Sequence, residues 1–94
     1  MKKQLRLRPM CEHVLRALRF LGGSAQPKEV IEWLAKQFAL SNSALSRRTR
    51  SGAKRFDNAI RWAREDLAGL GLLDRSDRGR WTLTPMGSFI AGLV

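Results

Sequence analysis

The stretch AKRFDNAIRWAREDLAGLG, residues 53–71, decides how this chain folds. Phe56, Ile60, Ala63, Leu67 and Leu70 recur at steps of four and three, the spacing of one apolar face of a helix. At about 100° per residue the opposite face carries Lys54, Asn58, Arg61 and Glu65. The spacing predicts a helix over 53–70, ended by Gly71. Immediately after it the period changes. The next stretch, LLDRSDRGRWTLTP over residues 72–85, offers two short strands, 72–75 and 80–83, joined through Ser76-Asp77-Arg78-Gly79. Aspartate within the turn and glycine at its end suit a hairpin loop that needs one positive φ. Thr84-Pro85 then reads as a cap and first-turn proline, opening a short C-terminal helix through Phe89 and Ile90.

Upstream, Pro9 suits the first turn of another helix, since its missing N–H is needed by no partner there. Met10, Val14, Leu18 and Leu21 form its stripe, widened by Cys11 and Leu15, and Gly22-Gly23 stops it with a glycine in the left-handed conformation. Ser24-Ala25-Gln26 has room for a strand of two or three residues only. Pro27 opens a second helix with Glu29 near its positive end, and Val30, Ile31, Leu34 and Phe38 supply its apolar face. Ser41 to Ser51 is polar, with a short helical turn expected around Ala44 and Leu45. The order is helix, short strand, helix, helix, hairpin, helix. Three core helices with a small hairpin and a short closing helix predict a winged helix, the helix-turn-helix variant in which a β-ribbon flanks the recognition helix. Residues 1–8 are then a basic flexible arm and 9–94 one winged-helix domain.

Composition narrows the partners. Ninety-four residues suffice for one small domain, and the single Cys11 excludes an intrachain disulfide framework. No apolar run reaches the roughly 18–20 residues of a membrane span, and no signal-peptide core follows Met1-Lys2-Lys3. A soluble, cytoplasmic protein is expected. Eighteen Lys and Arg, most of them Arg, stand against eight Asp and Glu, for a net charge of +10. Residues 1–8 carry +4, 9–46 only +1, 47–64 carry +6, 65–74 carry −3 and 75–80 carry +2. Charge so segregated points to a polyanionic partner, with nucleic acid ahead of membrane surface or acidic protein.

Several of these residues form a recognisable pattern. Ser51-Gly52, Phe56-x-Asn58, Trp62-Ala63-Arg64, Leu67, Gly71-Leu72 and Arg78-Gly79-Arg80-Trp81-x-Leu83-Thr84-Pro85-x-Gly87 together resemble the N-terminal domain of Mrr-type restriction enzymes. The resemblance runs from about Pro9 and is strongest between Ser51 and Gly87. It implies a winged helix that recognises DNA, including DNA with modified bases, for a separate C-terminal nuclease domain of the PD-(D/E)xK type. This sequence departs from the whole enzyme in one respect. Such a nuclease needs acidic metal ligands with a lysine close by, yet no Pro-Asp, Asp-x-Lys or Glu-x-Lys occurs here. Recognition without cleavage is the expectation, with a nuclease domain as a candidate partner in a parent chain.

Other chemistry has few candidates. Cys11-Glu12-His13 mimics a metal or nucleophile cluster, but residues two apart on a helix diverge, and no second Cys or His completes a zinc site. Cys11 is expected in the core and His13 at the surface. No phosphate-binding glycine loop occurs. Neither a cofactor nor a metal is expected.

The basic constellation carries the reading. Arg47, Arg48 and Arg50 precede the third helix, Lys54 and Arg55 start it, and Arg61 and Arg64 follow. This is the end of a recognition helix that approaches base edges in helix-turn-helix proteins. Asn58 can pair bidentately with adenine and Arg61 with guanine, whereas Lys54 anchors phosphate. A local helix-start hydrogen bond is the other reading of Asn58. Arg75 and Arg80 bracket the hairpin along phosphates, and Arg78 at its tip suits a narrow minor groove. Trp33, Trp62 and Trp81 lie at the flanks of apolar stripes, where core packing is expected. Double-stranded DNA is the expected partner, through a monomer or a homodimer. A stand-alone transcriptional regulator with the same fold and a winged-helix protein–protein module are the alternatives.

Overall fold

A computed structural model of the chain describes residues 9–41, 54–74, 76 and 79–94. Its elements are α1 (Pro9–Phe20), β1 (Ser24–Ala25), α2 (Pro27–Gln37), α3 (Arg55–Gly69), β2 (Trp81–Thr82) and α4 (Pro85–Ala91). The expected turn around Ala44 and Leu45 and the arm at 1–8 lie outside the described residues, as do Arg75, Asp77 and Arg78.

Helix α1 is central. It packs on α2, α3 and α4, so its apolar face is wider than one stripe: Cys11, Val14, Leu15, Ala17 and Leu18 are all buried. Met10 and Leu21, expected at the heart of that face, are half-buried at its margins. Val30 and Leu34 of α2, and Ile60, Ala63, Leu67 and Ala68 of α3, complete a core closed by Leu72, Leu73, Trp81 and Ala91. No polar or charged side chain among the described residues is buried in it. That is the pattern expected when desolvating an unpaired polar group costs more than its burial returns.

The junction after α1 needs two positive φ values in succession. Gly22 and Gly23 adopt φ of 93° and 94°, conformations that other residues reach only with strain. The reversal lets the Gly23 N–H donate to Leu18 O at 2.7 Å and turns the chain directly into β1.

The sheet differs from the hairpin the sequence suggests. Its two strands are β1 and β2, antiparallel, with Ser24 opposite Thr82 and Ala25 opposite Trp81. Among the described residues, segment 72–74 meets the 80–83 arm through the isolated bridge of Leu73 with Leu83, supported by Asp74 N–H donating to Thr82 O at 2.9 Å. The Asp74 carboxylate accepts from the Ser76 N–H at 2.8 Å, the kind of local bond by which aspartate favours a turn over a continued ladder. Chain 72–74, β2 and β1 therefore lie side by side, and the described part of the wing is anchored to the segment between α1 and α2. Among the described residues, four helices with this small antiparallel sheet are compatible with a winged helix.

Helix α4 is locked to the end of α3 by backbone proximity. Thr84 Oγ1 accepts from Gly87 N–H at 3.0 Å and donates to Gly71 O at 2.7 Å, capping one helix while holding the chain that leaves another. A Cβ built on Gly87 would overlap the Leu72 carbonyl oxygen, so only glycine lets the first turn of α4 sit against that segment.

Candidate nucleic-acid interface

Helix α3 is entered through Lys54, whose φ of −63° and ψ of 125° mark the extended residue before the first turn. Ile60, Ala63 and Leu67 bury one face, and Phe56 packs at the margin with its ring 6.0 Å from that of Phe38. This anchoring fixes which side chains face outward. Lys54, Arg55 and Arg61 are exposed and Asn58 is half-buried. Four of the sequence-predicted site residues thus share the outer surface of the first two turns. Their cationic groups reinforce the positive end of the helix dipole, so an anion approaching there meets net positive charge, with Asp57 the acidic side chain of the first turn.

The positive surface has a boundary. Arg64, three residues beyond Arg61, does not continue it. Its side chain is only 12 % exposed, and its Nη1 donates to Glu65 Oε1 at 2.7 Å. Its Nε is buried without a hydrogen-bond partner. Glu65 is exposed and Asp66 half-buried on the following turn. The first half of α3 is therefore cationic outside and the second half neutral to acidic.

Arg80 belongs to a different element. Its Nε donates to Ser24 Oγ at 2.7 Å and its Nη2 lies 3.5 Å from Ser24 O, while Ser24 Oγ lies 2.9 Å from Thr82 Oγ1. The exposed guanidinium is thus held against β1 at the base of the wing. Nothing in the sequence marked Ser24 as its partner, because that contact exists only once β1 and β2 pair. Arg47, Arg48, Arg50, Arg75 and Arg78 lie outside the described residues.

The tryptophans separate into three environments, and one corrects the expectation of core packing. Trp81 is buried, and Trp33 is half-buried with its ring 5.2 Å from that of Phe20. Trp62 is 61 % exposed. It stands two residues past Ile60, about 200° round the helix and on the opposite side from the stripe. That angle was the available signal, outweighed by its apolar character. His13 is also less free than a surface histidine: its ring meets the Phe38 ring edge-on at 4.8 Å, beside a shallow depression lined by Arg16, Trp33 and Gln37. Cys11 is buried as expected, its thiol 3.8 Å from Ala63 O. Among the described residues no three His, Cys, Asp or Glu side chains are placed to hold a metal, and no helix is long and apolar enough to cross a membrane.

Neither curated proteins nor solved structures give a match to this chain. A comparison with family models does. The Mrr N-terminal domain matches residues 9–91, from the proline that opens α1 to the last residue of α4. The match takes in the anchored α3, the base of the wing and the Thr84–Gly87 lock. The chain belongs to the family of Mrr N-terminal domains, the N-terminal domains of Mrr-type restriction proteins.

Proposed function

We propose that this domain binds double-stranded DNA, with the first two turns of α3 in the major groove and the base of the wing along the backbone. One observation carries the reading: Lys54, Arg55, Asn58 and Arg61 share the outer surface of α3, and that surface stops being cationic at Arg64. Lys54 and Arg55 neutralise phosphates at the groove edge, whereas Asn58 and Arg61 approach base edges. Arg80 adds a backbone contact from the wing, and Arg47, Arg48, Arg50, Arg75 and Arg78 supply further basic groups. The domain is a reader, with target recognition in a modification-dependent restriction system as its role and cleavage left to a nuclease domain of the parent protein. It requires no cofactor and works in the cytoplasm.

The test is titration of fluorescent duplexes, modified and unmodified, at several salt concentrations. With about five to seven phosphates contacted, log K should fall against log salt with slope about −4 to −6. A flat dependence, or no binding at low salt, refutes DNA recognition. Equal affinity for modified and unmodified duplexes turns the reading toward a transcriptional regulator.

One observation favours a second reading. Met86 and Phe89 on α4, and Leu93 just after it, are exposed, away from any run of charge in the sequence. A protein-interaction module, with homodimerisation as its simplest form, would use that face. Sedimentation of wild type against Phe89→Ser distinguishes it: a dimer lost in the variant supports the module, and a monomer in both removes homodimerisation.

A further inference from the structure

The aromatic side chain on the cationic half of α3 has no role in the core. Trp62 is 61 % exposed, although a tryptophan buries more apolar surface than almost any other residue when packing is available. Arg55, Asn58 and Trp62 fall at positions i, i+3 and i+7 and therefore form one ridge along the helix. Arg61 lies beside Trp62 in sequence and on the neighbouring ridge. At about 1.5 Å per residue, Arg55 to Trp62 covers about 10 Å, comparable with a major groove about 12 Å wide. Beyond Trp62 the side chains add no net positive charge: Arg64 is taken up by Glu65, and Asp66 follows. Trp62 is thus the last large outward side chain before the surface ceases to attract phosphate.

We propose that Trp62 is a specificity-determining contact, packing its indole against the C5-methyl groups of pyrimidines on the floor of the major groove. The inference rests on the DNA-binding reading above. The groove edge offers an aromatic ring few apolar surfaces. Phosphates repel its faces, the exocyclic amino and carbonyl groups favour polar partners such as Asn58 and Arg61, and the C5-methyl of thymine is the prominent apolar group. The apolar residues exposed on α4 are a separate matter, since that segment carries none of the charge that would hold them against DNA.

The experiment compares wild type, Trp62→Ala and Trp62→Phe on an alternating A·T duplex and on the same duplex with deoxyuridine replacing thymidine. The replacement removes only the methyl groups. Wild type should lose affinity on the deoxyuridine duplex by about fourfold for each methyl group buried. Trp62→Ala should lose a similar factor on the thymidine duplex and show no further loss on the deoxyuridine one, with Trp62→Phe between. The salt slope should stay at the wild-type value in every arm, because an apolar contact releases no counterions. Melting temperatures within about 2 °C of wild type show that the exposed ring is not structural. Equal losses for Trp62→Ala on both duplexes, or no loss on either, overturn the inference while leaving DNA binding intact. If wild type binds neither duplex, both the DNA reading and this inference fall.

Discussion

A matched pair of substitutions on α3 separates charge that meets a ligand from charge that does not. Arg55 and Arg64 sit on the same helix, but Arg55 is exposed whereas the Arg64 side chain is 12 % exposed and tied to Glu65. Replacing each with Met keeps most of the aliphatic volume and removes the guanidinium. For Arg55→Met one phosphate contact disappears, so the salt slope should become shallower by about 0.9. Between 50 and 200 mM salt that difference changes the wild-type advantage by about 3.5-fold. Stability should move by no more than about 0.5 kcal/mol, as for ordinary surface substitutions. Arg64→Met should do the opposite. Its slope should match wild type, because that charge is already taken up. Loss of the ion pair with the exposed Glu65 costs about 0–1 kcal/mol. Removing a buried Nε without a partner returns about 1–3 kcal/mol. The balance is a gain of about 1 kcal/mol, which in a domain of this size raises Tm by about 4–8 °C. Fluorescence anisotropy across a salt series and thermal melting of both variants provide the assay. If Arg64→Met flattens the slope as much as Arg55→Met does, the boundary on α3 is misplaced.

Three further outcomes concern the frame that holds the interface. Gly87→Ala forces a methyl group onto Leu72 O and should cost about 1–3 kcal/mol or more, lowering Tm by roughly 10 °C; an unchanged melting curve would contradict that packing. Thr84→Val keeps the shape but loses both hydroxyl bonds, so stability should fall by about 1–2 kcal/mol with faster amide exchange at Gly87, while Thr84→Ser restores most of it. The Ser76 N–H and side chain hold the Asp74 carboxyl below its usual range. Its stabilisation of the turn is therefore present above the ordinary carboxylate pKa and is lost as pH falls through the lowered value. Asp74→Asn keeps an acceptor without the titration, so the acid-induced shift of the Ser76 amide in NMR spectra should vanish in that variant.

The sequence revealed most where one physical rule dominated. Helix α3 was legible because the stripe from Phe56 to Leu67 is long, regular and bounded by Gly71. Its cationic outer surface follows from the same angles, and Arg64 could have been set apart from it by position alone, four residues after the buried Ile60. Trp62 was misjudged because bulk and apolarity suggested a core position that its angle excludes. The sheet was a different case. Strands of two residues carry no periodicity, so the partnership of β1 with β2, and hence the seat of Arg80 on Ser24, depends on the packing of the whole domain. The Thr84-Pro85 signal marked the start of α4 correctly, but its second bond to Gly71 O became visible only in three dimensions.

The pairing of Ser24 with Thr82 spans 58 residues of chain. Loop closure over such a distance is entropically unfavourable until other contacts have brought the ends together. Each helix forms through neighbours three and four residues apart, so the sheet is expected to close only after the helices themselves have formed. Until then Arg80 has no strand to rest on. A nascent domain therefore acquires the outer face of α3 before its wing, and its grip on a ligand would mature in that order.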